Sequence, residues 1–549
     1  MKTPDVVSTD CDLNRRTVLK LGAAISAFAV TSHGSVSAAV LANNNEIVAL
    51  SARAAVDYVR RGELSAERYV QVLLDQYKAH TNLNTVTYID EARLLEDARE
   101  IDRARARGAQ LGPLAGLPMM LKDNINTVGF PTTAGTAFLK DYRPKTNAPL
   151  ADMLFKQGAI LFAKSNMHEL ALGSTSANPT FGYVKNPYDL SRIPGGSSGG
   201  TAAAVAARIV PAGLGSDTTG SIRMPSHFCG IAGLRPSNPK TNKPYPVEGI
   251  VPLQLEFDVA GPMARNVADV ALIHVAITQQ AELAPADLRG VRIGLPRAYY
   301  WETLDADVAQ IMDTTLDKLR GAGAVLVDVD FTDLIKTALA VRAPLRPEDF
   351  RTDLAAFLAS EYPVMTMKDV IPRILSKRVR MLEEEAWEHP PSREAVEKAR
   401  STMDVLGTQY SNAFQQQNIV AIAYPTMPFP APLLPTEGDA VTPTFEVGGR
   451  QYPDTAILRN ALPGPAFRAP ALSIPAGLTR DGLPVGFEMM GCPVVTTSCC
   501  VLAWPLKLYL SRCHPRRSAT VKARGGGGAS SEHLLERATS WPIVFYGVF

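Results

Sequence analysis

Gly195-Gly196-Ser197-Ser198-Gly199-Gly200, the alanine-rich run Thr201–Ala207, the apolar run Ile209–Leu214, and then Gly215-Ser216-Asp217-Thr218-Thr219-Gly220-Ser221-Ile222-Arg223-Met224-Pro225 decide how this chain is read. Four glycines around two serines let backbone approach a small molecule closely and admit unusual torsions. The alanine run predicts a helix and the apolar run a buried strand. In the last segment, small residues leave main-chain N–H groups free to face a developing oxyanion. Upstream, Lys122 ends the apolar stretch Gly116–Leu121 and precedes Asp123-Asn124. Burial of a lysine on such a strand lowers its pKa and makes it a usable base.

The same alternation continues on both sides. Helical spacing covers 46–62 and 65–79, with Ser65 as N-cap of the second, and Leu94–Arg107 is a charged, arginine-rich helix. A helix near Ala148–Gln157 leads to a strand at Ala159–Ala163. Further on come a strand at Val291–Leu295, a helix from Ala306 to Ala322 and a strand at Ala324–Val329. Residues 330–415 read as a mostly helical cover. Helix and strand taking turns over this length predict an α/β protein built on one large mixed sheet with helices on both faces. No linker divides the body.

Composition narrows the function. The chain has 549 residues, 46% of them apolar and 20% charged, which suits a globular protein. Its net charge of +2 indicates no nucleic-acid partner, and no apolar run of about 18 residues would hold it in a bilayer. Histidine and acidic residues never cluster at metal-ligand spacing.

Lys122, Gly195–Gly200 and Gly215–Pro225 together resemble the amidase signature family of serine hydrolases. Ser197 and Ser221 stand 24 residues apart, matching that family's two catalytic serines. Pro118–Asn124, Lys164–Leu170, Cys229–Pro236, Ala471–Gly477 and Gly482–Gly486 extend the resemblance over residues 45–491. It implies the amidase-signature fold, a large twisted sheet covered by helices. It also implies hydrolysis of a carboxamide C–N bond, without metal or organic cofactor. In that scheme Ser221 is the nucleophile, and Ser197, placed after a cis peptide, relays protons to the neutral base Lys122. The N–H groups of Thr218, Thr219, Gly220 and Ser221 form the oxyanion hole, and Thr175, Gly195 and Gly196 bind substrate. Thr219 departs from the glycine often found there, so the pocket floor is expected to be narrower. Lys145–Pro149 and the 170–183 segment resemble members acting on aryl-acetamides, such as mandelamide and indole-acetamide hydrolases. Met119, Met120, Phe181 and Tyr183 offer either apolar walls for an aryl ring or core packing. The partner expected is a small amide, with a homodimer left open. The alternative within the family is the glutaminase subunit of a tRNA-dependent amidotransferase.

Two other readings fail on the residues. Gly195-Gly196-Ser197-Ser198-Gly199 matches the G-x-S-x-G elbow, but Pro187 and Pro194 argue against the strand that must precede it. His227, His274 and His389 stand in no telling context for its triad. A phosphate loop would need Gly-Lys-Ser/Thr next, and none follows. His168 and Glu169 read as structural, and Arg223 as an ion-pair partner.

The ends differ from the body, residues 43–491. Residues 1–42 carry Arg15-Arg16, an uncharged run from Leu21 to Val30 and small residues Ser35–Ala39, as in a twin-arginine export signal. Removing them takes four basic and three acidic residues, so the net charge becomes +1. The expected location is periplasmic or exported, with the cytoplasm as the alternative. Residues 492–549 hold four of the six cysteines, seven basic residues against two acidic ones, and the run Gly525–Gly528. A basic binding tail and a disulfide framework are two readings of this stretch. A reading-frame slip accounts for more, because codons for Thr496–Lys507 exist that, read one base earlier, encode an amphipathic helix with an acidic start. Sequencing the gene across codons 485–500 should find that alternative frame open; stop codons at its beginning would exclude the slip.

Overall fold

The computed structural model describes residues 43–239, 244–435 and 444–493. The export-signal stretch and all of the tail after Pro493 lie outside the described residues.

Eleven strands form one sheet. In chain order they are β1 (Val86–Tyr88), β2 (Pro118–Lys122), β3 (Ile160–Ser165), β4 (Ala212–Asp217), β5 (Ala232–Arg235) and β6 (Val259–Ala264). Then follow β7 (Arg292–Leu295), β8 (Val325–Asp328), β9 (Ala421–Pro425), β10 (Ala471–Leu478) and β11 (Pro484–Gly491). Their order across the sheet is β1-β3-β2-β4-β6-β5-β10-β11-β9-β7-β8. β3, β2 and β4 run parallel, whereas β6, β5, β10 and β11 pair antiparallel. The sheet is therefore mixed, as the alternation predicts.

Side chains of β2 show why both faces are covered. Met119 and Leu121 pack into a cluster with Leu150, Leu154, Val270 and Ile273, from helices Pro149–Lys156 and Val267–Thr278. Met120, between them, faces a separate cluster with Val70, Leu74, Ala202 and Val205. A strand buried on both faces reads as a continuous apolar run, and Pro118–Leu121 is one. Both methionines are thus core residues and not walls for an aryl ring.

The predicted 46–62 helix is two helices, Asn44–Ala49 and Ala52–Arg61, because Ser51 turns extended and its side chain caps Ala54. Ser65 caps Ala66–Ala79 through the N–H of Arg68. β4 begins at Ala212, three residues after the predicted Ile209. The 330–415 cover consists of Thr332–Glu361, Lys377–Glu388 and Arg393–Gln417, with two short turns between the first two.

Every residue of helix Gly199–Ala206 is buried, and the helix packs on β2, β4 and β6. Only small residues fit there. A Cβ on Gly200 would collide with the Asn166 carbonyl oxygen and sit 2.8 Å from that of Thr85. Gly200→Ala should lower stability by about 1–3 kcal/mol, read from the urea midpoint at unchanged m-value.

Candidate active site

Parallel strands bring their C-terminal ends to one edge of a sheet. Here β2 delivers Lys122 and the adjacent β4 delivers Ser216 and Asp217, in the register Leu121 opposite Leu214. Lys122 Nζ, fully buried, lies 2.7 Å from Ser197 Oγ and 2.7 Å from Ser216 Oγ. Asn124 Nδ2 donates to Ser216 Oγ at 3.1 Å. Burial lowers the Lys122 pKa from 10.5 to about 7, against the opposing pull of Asp217 and Asp258. A neutral amine is therefore abundant near neutral pH.

The glycine loop puts Ser197 there. The Gly196–Ser197 peptide is cis, and Gly195 has a φ of 83°. Its glycines are also needed for close approach. A Cβ on Gly195 would stand 2.8 Å from Pro225 Cα, and one on Gly196 2.8 Å from the Gly173 carbonyl and 3.0 Å from Thr175 N. Thr175, Gly195 and Gly196 are thereby packed together beside Ser197. The Gly195 carbonyl accepts from Ser176 Oγ and Thr175 Oγ1 accepts from the Ala177 N–H.

Ser221 sits in the loop between β4 and helix Arg223–Cys229. The Ser198 N–H donates to the Ser221 carbonyl at 3.3 Å, which ties this loop to the glycine loop. Asp217 shapes it from within, accepting the N–H groups of Gly220 (2.8 Å) and Ile222 (3.2 Å). That engagement removes the Gly220 N–H from the expected oxyanion-hole set. Gly220 instead supplies a φ of 117° that only glycine adopts readily. Among the described residues, the N–H groups of Thr218, Thr219 and Ser221 donate no hydrogen bond.

Charge holds this loop in place. Arg223 Nε is 3.0 Å from Asp217 and its Nη1 2.8 Å from Glu488; Arg235 Nη1 is 3.0 Å from Asp217, all fully buried. Burial alone would raise the Asp217 pKa, but Arg223 and Arg235 outweigh it and hold the carboxyl below the usual range. Arg223 is the ion-pair partner its setting predicts. Glu169 is structural as expected, accepting from the N–H groups of Leu375 and Ser376.

Beside Lys122 is a narrow cleft with room for about one water, its polar lining formed by the side chains of Asn124, Ser216, Thr218 and Asp258. Its apolar walls are Ala171, Val247, Ile250, Val251, Leu253 and Leu255. Thr219 is not among the residues that line it. Thr218 Oγ1 donates to Asp258 Oδ1 at 2.5 Å. Sequence reasoning missed Ser216, Asn124 and Asp258. Ser216 and Asn124 lay inside motifs already noticed, but their meeting depends on strand register.

The histidines serve elsewhere. Buried His227 accepts from the Gly486 N–H and bonds the Phe429 carbonyl, with its pKa pushed down to about 4 by burial. His274 pairs with Tyr245, and His389 with Glu385. None bonds Ser197 or Ser221, which removes the elbow triad.

The amidase family profile matches residues 68–500. The chain belongs to the amidase family. It is 35% identical over 444 residues to an indoleacetamide hydrolase of Agrobacterium vitis, covering 79% of this chain and 92% of the relative. It is 32% identical over 452 residues to a mandelamide hydrolase of Pseudomonas putida, covering 79% and 86%. The A-type subunit of a glutamyl-tRNA(Gln) amidotransferase, from Chlorobium phaeobacteroides, is 33% identical over 460 residues, covering 78% and 92%. Among solved structures, the peptide amidase of Stenotrophomonas maltophilia aligns with a TM-score of 0.69 at 27% identity, covering 83% of this chain and 97% of that one. The amidase is accordingly a hydrolase of amide C–N bonds. No helix among its described residues is long and apolar enough to cross a membrane.

Arg223→Met should leave Glu488 and part of Asp217 buried without a counter-charge. The amidase variant should lose about 3–5 kcal/mol of stability by urea unfolding; a loss under about 1 kcal/mol would mean that the cluster does not anchor the loop.

Proposed function

We propose that the enzyme hydrolyses a small neutral amide, aryl-substituted on the acyl side, through an acyl-enzyme on Ser221. The observation that carries this reading is the 2.7 Å contact between the buried Lys122 amine and Ser197 Oγ. Neutral Lys122 takes the Ser197 proton as Ser197 takes that of Ser221, and Ser221 Oγ bonds to the carbonyl carbon. The oxyanion meets the N–H groups of Thr218, Thr219 and Ser221. The proton returns along the same path to the nitrogen, the C–N bond breaks, and ammonia or an amine leaves. Water then releases the acid. Thr175, Gly195 and Gly196 border the substrate on the Ser197 side.

The aryl preference is supported by relatives named for indoleacetamide and mandelamide. Export by a twin-arginine route is proposed on Arg15-Arg16 and the run that follows them. The amidotransferase relative favours a second reading, a glutaminase component working with a partner protein and tRNA. Discrimination rests on substrate and company. Phenylacetamide should exceed acetamide, glutamine, a long-chain amide and a peptide amide in kcat/KM. A stable partner complex with glutamine preferred would decide for the amidotransferase reading.

Ser221→Ala should reduce kcat/KM on phenylacetamide by at least about 1000-fold, and Lys122→Ala by about 100-fold or more. Wild-type rates in either variant would overturn the mechanism. The protonated amine cannot accept a proton, so kcat/KM should fall about tenfold per pH unit below pH 7 and level off above it. A profile flat down to pH 5 would exclude Lys122 as the base.

A further inference from the structure

Asn124 Oδ1 is a buried acceptor with nothing to accept. Asn124 is 2% exposed and lines the cleft, and among the described residues its Oδ1 has no hydrogen-bond partner. Its Nδ2 donates to Ser216 Oγ, which leaves Oδ1 as the open end of the amide group. Buried polar atoms nearly always have a partner, and an acceptor left open beside a reacting centre points to a donor that arrives with the substrate.

We propose that Asn124 Oδ1 accepts an N–H of the substrate's carboxamide and so makes the site selective for amides over esters. The inference rests on the acyl-enzyme reading above. When Ser221 Oγ bonds to the carboxamide carbon, the nitrogen loses its conjugation and becomes pyramidal, with N–H bonds and one lone pair. That lone pair must face the proton returning through Ser197 from Lys122 before the C–N bond breaks and ammonia leaves. Lys122 and Asn124 share Ser216 Oγ as a hydrogen-bond partner, which puts the Asn124 amide group in the neighbourhood of the Lys122 amine. Holding one N–H there fixes which way the lone pair points. An ester oxygen has no hydrogen to offer and gains nothing from the contact.

The experiment compares phenylacetamide with methyl phenylacetate in wild type, Asn124→Leu, Asn124→Ala and Ser221→Ala. Asn124→Leu is near in size and lacks the acceptor; Asn124→Ala carries the same test should the leucine variant not fold. The expected result is an amide kcat/KM lower by about tenfold or more, an ester kcat/KM lower by about threefold or less, and an acid limb that stays where it is. Equal losses on both substrates would make Asn124 a structural residue. An amide loss accompanied by a moved acid limb would mean that it acts through Lys122. Either result overturns the proposal. The Ser221→Ala control separates this from the underlying reading, because a control active on both substrates would refute the acyl-enzyme itself.

Discussion

Asp217 accepts two backbone N–H groups of the Ser221 loop and pairs with two guanidiniums, all without contact with solvent. Buried charges are tolerated only when pairing and hydrogen bonding are nearly complete, so this carboxylate admits few alternative arrangements. Its partners come from distant places in the sheet. Arg235 ends β5, Glu488 belongs to β11, and Tyr424 of β9 adds a hydrogen bond to Glu488 at 2.8 Å. The loop that carries Ser221 is therefore set by strands spread across the sheet, not by its own small residues. Those residues supply the room; the charges choose the conformation.

Much of this was legible in the sequence, and the boundary follows physical lines. Alternation of helix and strand gave the architecture because burial on both faces writes apolar runs such as Pro118–Leu121 directly into the chain. The glycine loop was legible because close backbone approach demands glycine at fixed places. What stayed hidden depends on contacts between segments. Met119 and Met120 suit a pocket wall as well as a core, and only the sheet's two covered faces decide between them. The Gly220 N–H is consumed by a side chain three residues before it, which composition does not reveal. Asp258 reaches Thr218 from 40 positions away. The break at Ser51 turned on a cap competing with an unbroken helical period.

Two lysines on neighbouring strands show how partners, not burial, divide structure from chemistry. Lys122 and Lys164 are both fully buried, and burial lowers the pKa of each. Lys164 has Asp123 at 3.3 Å and three further acceptors, the carbonyls of Ile125 and Pro131 and Thr132 Oγ1, at 2.7–3.0 Å. All three of its donors are engaged, so the ammonium is matched and held as a strut under the 125–132 turn. Lys122 meets only two hydroxyls, each of which can donate as well as accept. A neutral amine, with two N–H bonds and a lone pair, satisfies that surrounding as well as an ammonium does. Among the described residues, the surroundings of Lys122 thus accept the neutral amine, whereas those of Lys164 are built for an ammonium.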